Sequence, residues 1–100
     1  MDNKKLKIYR DKVQLLAKNS GVSYMAIFGS LARGEDTKNS DVDILVDFIK
    51  PTTLRGYFDL ENKLSKVFGK KVDLITRKGL NKHIKPFIQS DLKVVYGQAT

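Results

Sequence analysis

Two carboxylates one residue apart open an apolar run, Asp41-Val42-Asp43-Ile44-Leu45-Val46-Asp47-Phe48. The alternation predicts a strand over 41–48. Side chains in a strand alternate between faces, so Asp41 and Asp43 share one side, about 6–7 Å apart at Cα. Val42, Ile44, Val46 and Phe48 share the other side as a core-facing set. Two carboxylates on one face repel unless a cation sits between them. A hard divalent cation with oxygen ligands, Mg²⁺ above all, meets that need and normally arrives with substrate phosphates. An earlier apolar run, Tyr24 to Phe28, stops at Gly29-Ser30. Gly29 allows a tight turn and close approach of a ligand to the backbone. Ser30 stands where a short helix would begin, so its hydroxyl and the N–H groups after it suit a phosphate.

Charge divides the chain in the same way. The net charge is +8, yet residues 27–48 carry Glu35, Asp36, Asp41, Asp43 and Asp47 against only Arg33 and Lys38. The basic residues gather elsewhere, as at Lys4, Lys5, Lys7, Arg10 and Lys12, and again at Lys63, Lys66, Lys70, Lys71, Arg77 and Lys78. An acidic site in a basic protein suits a metal-bound polyanion or an acidic partner. The plainer alternative is a solvated lysine-rich surface. Cysteine is absent, which removes disulfides and thiolate metal sites and fits a reducing cytoplasm. The apolar runs are too short to span a membrane, and the start Met-Asp-Asn-Lys-Lys lacks a signal-peptide core.

In chain order, Leu6, Tyr9, Val13, Leu16 and Ala17 recur at helical steps and predict a helix over 3–19, stopped near Gly21. A strand over 23–28, a helical turn over 30–34, a polar loop and the strand over 41–48 follow. Pro51-Thr52-Thr53 signals a helix start with a Thr cap. That helix runs to about 68, with Leu54, Tyr57, Phe58, Glu61, Leu64, Val67 and Phe68 marking its face and Gly69 ending it. Gly56 inside it costs about 1 kcal/mol relative to Ala and points to close packing. Strands are expected at 71–76 and 93–96, with a turn at 79–83, a short helix at 84–90 holding Pro86 in its first turn, and a frayed tail at 98–100. No repeat or linker interrupts the 100 residues, which are expected to form one domain.

Asp73 lies inside the apolar run Val72-Asp73-Leu74-Ile75. A lone Asp there is costly to bury as a charge unless paired or metal-bound. If this strand neighbours the 41–48 strand, Asp73 joins Asp41 and Asp43 on one face; otherwise it faces water or pairs with a lysine. Arg33 has three open readings: a phosphate contact, a partner contact, or a tie to Glu35 or Asp36 that fixes the loop. Asp47 reads as a strand-end charge, and His83, with no ligand-type residue at metal spacing, as a surface or capping residue. Tyr9, Tyr24, Tyr57 and Tyr96 fit core or core-edge positions.

Gly29-Ser30, ten residues, then Asp41-Val42-Asp43, resembles the signature of the nucleotidyltransferase superfamily that includes DNA polymerase beta and kanamycin nucleotidyltransferase. Ala32-Arg33-Gly34-Glu35 and Ser40 look like its minimal nucleotidyltransferase (MNT) branch. The likeness covers nearly the whole chain. It implies a two-layer α/β (α+β) fold, a mixed sheet of about four strands with helices packed on one face and the three carboxylates on the other. It implies that Gly29 and Ser30 hold the phosphates of ATP, with Arg33 as a candidate helper. It also implies that Asp41, Asp43 and Asp73 are the catalytic and metal residues for two Mg²⁺ ions. Larger members of the superfamily add a helical acceptor domain, for which 100 residues leave no room. The acceptor is then expected in an open cleft, on a second copy or on another protein. MNT proteins of this size pair with a small all-helical HEPN toxin, acting as cytoplasmic antitoxins that transfer AMP to a toxin tyrosine. Two other readings remain: a module that neutralises its partner by contact alone, and a nucleic-acid binder using the lysines. The lack of an aromatic–basic stacking pattern counts against the last.

Overall fold

The outer edge of a sheet needs partners for its backbone groups, and here one helix supplies them along one side. The computed structural model describes residues 3–35, 37–77 and 92–97, with side chains from Tyr9 onward. The elements are α1 (Asn3–Asn19), β1 (Val22–Phe28), α2 (Ser30–Arg33), β2 (Val42–Phe48), α3 (Leu54–Phe68), β3 (Val72–Thr76) and β4 (Lys93–Gly97). The sheet order is β3-β2-β1-β4. β1 runs antiparallel to β2 and to β4, whereas β2 and β3 are parallel, with α3 as the crossover that parallel neighbours require. The expected turn at 79–83, the helix at 84–90 with Pro86, His83 and the tail at 98–100 lie outside the described residues.

The pleat sorts the side chains as the alternation predicted. Val42, Ile44 and Val46 of β2, with Val72 and Leu74 of β3, are buried against Val13 and Ala17 of α1 and Leu60, Leu64 and Phe68 of α3. Tyr9 closes the end of this layer, its ring 4.7 Å from that of Phe68. In β1 a bulge between Val22 and Tyr24 shifts the register, so Val22, Met25 and Ile27 all join the helix-side core despite their mixed parity. The opposite face is not bare: Tyr24, Ala26, Phe28 and Leu45 form a second buried cluster, flanked by Ile75 and Leu92.

Thr53 caps α3, its hydroxyl accepting from Gly56 N–H at 3.0 Å. A Cβ on Gly56 would stand 2.6 Å from the Thr52 hydroxyl oxygen and 3.3 Å from that of the capping Thr53, so the hydroxyls that open the helix crowd this position. The buried stripe of α3 differs from the expected one. Leu60 is 1% exposed and central, whereas Leu54 is 72% and Phe58 48% exposed. At about 100° per residue, Phe58 lies roughly 120° around the helix from Leu64, off the core-facing arc. Three residues spaced by four along α3 then reach β3. Ser65 Oγ accepts from Val72 N–H at 3.1 Å, Glu61 Oε2 accepts from Leu74 N–H at 3.2 Å, and the Tyr57 hydroxyl donates to Leu74 C=O. Among the described residues no helix is long and apolar enough to cross a membrane.

Leu64→Ala is expected to cost about 2–5 kcal/mol, the usual range for truncating a fully buried leucine. Leu54→Ala on the same helix should stay within about 0.5 kcal/mol, as at exposed sites generally. Urea denaturation of both variants checks which face of α3 carries the fold.

Candidate active site

β1 leaves the sheet at Gly29, which has φ 77° and ψ −152°. Phe28 is the Cα partner of Asp43, so the turn is made directly over that carboxylate. A Cβ on residue 29 would stand 2.4 Å from Asp43 Oδ2, and the positive φ would strain any other residue as well. The glycine is therefore what lets the Asp43 side chain lie against the turn. α2 begins at once: Arg33 N–H bonds Gly29 C=O at 3.1 Å, and Glu35 N–H bonds Ser30 C=O at 2.8 Å. Leu31 and Ala32 are buried and anchor this single turn to the core. The N–H groups of Ser30, Leu31 and Ala32 begin the turn and have no carbonyl one turn earlier to bond, the usual property of a helix start.

The parallel pairing of β2 and β3 makes Asp43 and Asp73 Cα partners. Asp41 sits exposed one residue before β2, and the adjoining Val42 N–H is fixed to Lys71 C=O at 2.9 Å. The three carboxylates thus meet at one end of the sheet. Asp43 registers the crowding: burial raises its pKa above the ordinary value of 3.8, Asp73 and then Asp41 raise it further, and Arg33 opposes them. Asp73 is held by Lys71, Nζ to Oδ1 3.9 Å. Among the described residues no three His, Cys, Asp or Glu side chains converge tightly enough to enclose a metal as they stand. The donor set is nevertheless all carboxylate oxygen, half exposed and mutually repelling. That suits Mg²⁺, which keeps waters and phosphate oxygens rather than filling a closed protein cage.

The other candidates fall into place individually. Arg33 Nε bonds Glu35 Oε1 at 2.7 Å, the loop-fixing reading, while its charge also reaches Asp43. Asp36 lies outside the described residues. Asp47 bonds Arg77 at 3.0 Å, and Arg77 lies over the Tyr24 ring, 5.2 Å from its centroid. Asp47 is thus a paired charge at the far end of β2, beside a depression of about 280 Å³ bordered by Phe48, Ile49 and Thr76. That depression is lined by the far end of β2 and the residues after it, and none of the three carboxylates borders it. The Tyr24, Tyr9, Tyr57 and Tyr96 rings are buried or half-buried against the core clusters, as their sequence contexts suggested. Asp73 both joins the other carboxylates and pairs with a lysine, Lys71, two readings the sequence had set as alternatives; the tie of Lys70 Nζ to Thr37 C=O at 2.7 Å across the loop had no sequence signal.

Residues 6–95 match the sequence profile of the nucleotidyltransferase domain family. A Methanocaldococcus jannaschii protein provisionally named a protein adenylyltransferase is 43% identical over 86 residues, 85% of this chain and 88% of that protein. Protein adenylyltransferase MntA of Thermococcus cleftensis is 41% identical over 69 residues, 69% of this chain and 70% of that protein. A solved structure provisionally described as a minimal nucleotidyltransferase superposes with a TM-score of 0.78 at 31% identity, covering 93% of this chain and 95% of that one. A Shewanella oneidensis MNT antitoxin in complex with a tri-AMPylated HEPN toxin shares the fold, with a TM-score of 0.70 at 18% identity, covering 92% of this chain and 72% of that one.

The raised pKa of Asp43 has a sign. The folded chain holds this proton more tightly than the unfolded chain, so stability is lost as the pH rises from the ordinary carboxylate value through the raised one. Asp43→Asn is therefore expected to melt at a higher temperature than the parent at neutral pH. The gap should close below the ordinary value of 3.8. Thermal melts across pH check it.

Proposed function

Because the chain belongs to the nucleotidyltransferase domain family, we propose that it transfers AMP from ATP to a hydroxyl of a partner protein, with Mg²⁺ as cofactor. The acceptor is a tyrosine of a small helical HEPN toxin, and the chain is its cytoplasmic antitoxin. The observation that carries the reading is the register of Asp43 opposite Asp73, beside a turn that only glycine can make. The names of the relatives support the donor and the protein acceptor, and the fold neighbour supports the kind of partner.

Gly29, Ser30 and the N–H groups after them receive the β- and γ-phosphates, and Arg33 stands near enough to Asp43 in charge terms to help hold a phosphate. Asp41, Asp43 and Asp73 would hold two Mg²⁺ ions, which when bound neutralise the phosphate oxygens and ease attack at phosphorus. The tyrosine oxygen forms a bond to the α-phosphorus as the bond from that phosphorus to the bridging oxygen breaks. Pyrophosphate leaves with the electron pair, and Asp73 takes the phenolic proton and passes it to water. Positioning and charge supply most of the rate in such a transfer, so little other protein chemistry is needed.

Intact mass spectrometry of the co-purified partner, after incubation with Mg²⁺ and each of the four triphosphates, should show added AMP units with ATP. The double variant Asp41→Asn/Asp43→Asn should slow the addition by on the order of 100-fold or more, since even residues that only support metal ligands cost that much. A folded, bound partner that gains no mass from any triphosphate would replace this reading with neutralisation by contact.

A further inference from the structure

The three carboxylates share one end of the sheet, yet no three acidic or ligand-type side chains among the described residues converge on one point. Lys71 adds a positive charge at this end. It stands two residues before Asp73 in extended chain, hence on the same side, and its ammonium is 3.9 Å from Asp73 Oδ1. Its backbone is fixed as well, because its carbonyl accepts from Val42 N–H between Asp41 and Asp43. The lysine side chain is 73% exposed and that of Asp73 44%, so the pair is easily parted.

We propose that Lys71 is the resident counter-cation of Asp73, displaced when a divalent ion enters and then transferred to the phosphates of the nucleotide. This inference rests on the nucleotidyltransferase reading of the same site. Metal entry alone sets a doubly charged ion beside an ammonium that has just lost its carboxylate. Entry together with a triphosphate gives that ammonium a new anionic partner. Lys71 thereby makes metal binding weak without nucleotide and strong with it, a positive coupling between the two ligands. It is a positioning residue, acting on the ion through Asp73.

A unit charge about 6 Å from a divalent ion in a water-like medium, partly screened by salt, changes affinity by about three- to tenfold. The test is Mn²⁺ binding to the whole chain by electron paramagnetic resonance, alone and with a non-hydrolysable ATP analogue. Lys71→Gln should bind Mn²⁺ alone about three- to tenfold more tightly than the parent, and the gain from adding the analogue should shrink by a similar factor. Lys71→Arg should behave as the parent, and Lys12→Gln, which removes the same charge from the exposed side of α1, should change neither value. In an Asp73→Asn background the effect of Lys71→Gln should vanish. Unchanged or weaker Mn²⁺ binding by Lys71→Gln, with the parent binding normally, overturns the role of Lys71 and leaves the reading of the site intact. A folded parent that binds no Mn²⁺ with or without the analogue overturns that reading and this inference together.

Discussion

The site depends on a repulsion that the core overrides. β2 and β3 are parallel and in register, and the pleat that buries Val42, Ile44, Val46, Val72 and Leu74 leaves Asp43 and Asp73 side by side on the other face. Each buried aliphatic side chain contributes about 1.5–3 kcal/mol. Two carboxylates about 5 Å apart near water cost each other only about 1 kcal/mol. A slip of one residue would relieve the repulsion but would turn the whole aliphatic row toward solvent. Burial therefore wins, and the like charges are held together as a by-product of the same alternation that makes the core.

The half-apolar character of the second face sharpens this. Phe28, across from Asp43 on β1, and Leu45, two residues along β2, are both buried there. Water is partly withdrawn from Asp43, while Asp41 is exposed. One carboxylate in the group is thus conditioned by its surroundings. Gly29 completes that environment by letting backbone, rather than a side chain, approach Asp43.

Much of this was legible in the residues. Period-two alternation located β2 and β3, Thr53 marked the start of α3, and Gly21 and Gly69 marked the ends of α1 and α3. Gly29-Ser30 and Asp41-Val42-Asp43 were tied together by their resemblance to the nucleotidyltransferase signature, and the antiparallel pairing of β1 with β2 sets Phe28 opposite Asp43. Other features were hidden for physical reasons. Leu60 escaped notice because a stripe built from Leu54 and Phe58 fits helical spacing almost as well, and only the sheet beneath decides between them. The Asp47–Arg77–Tyr24 group joins three distant segments. The tie from Lys70 to Thr37 joins segments 33 residues apart, which alternation alone does not supply.

The row Tyr57, Glu61 and Ser65 has a consequence beyond holding β3 in place. An uncovered edge strand is a template on which any extended peptide can assemble. Here the outward N–H groups of Val72 and Leu74 and the Leu74 C=O are already occupied by side chains of α3, on the very strand that carries Asp73. A polypeptide approaching from that side finds no ladder to continue, and misassembly of copies through that edge is blocked in the same way. Recognition on the β3 side would therefore be read from side chains and loops, leaving the sheet at its own width.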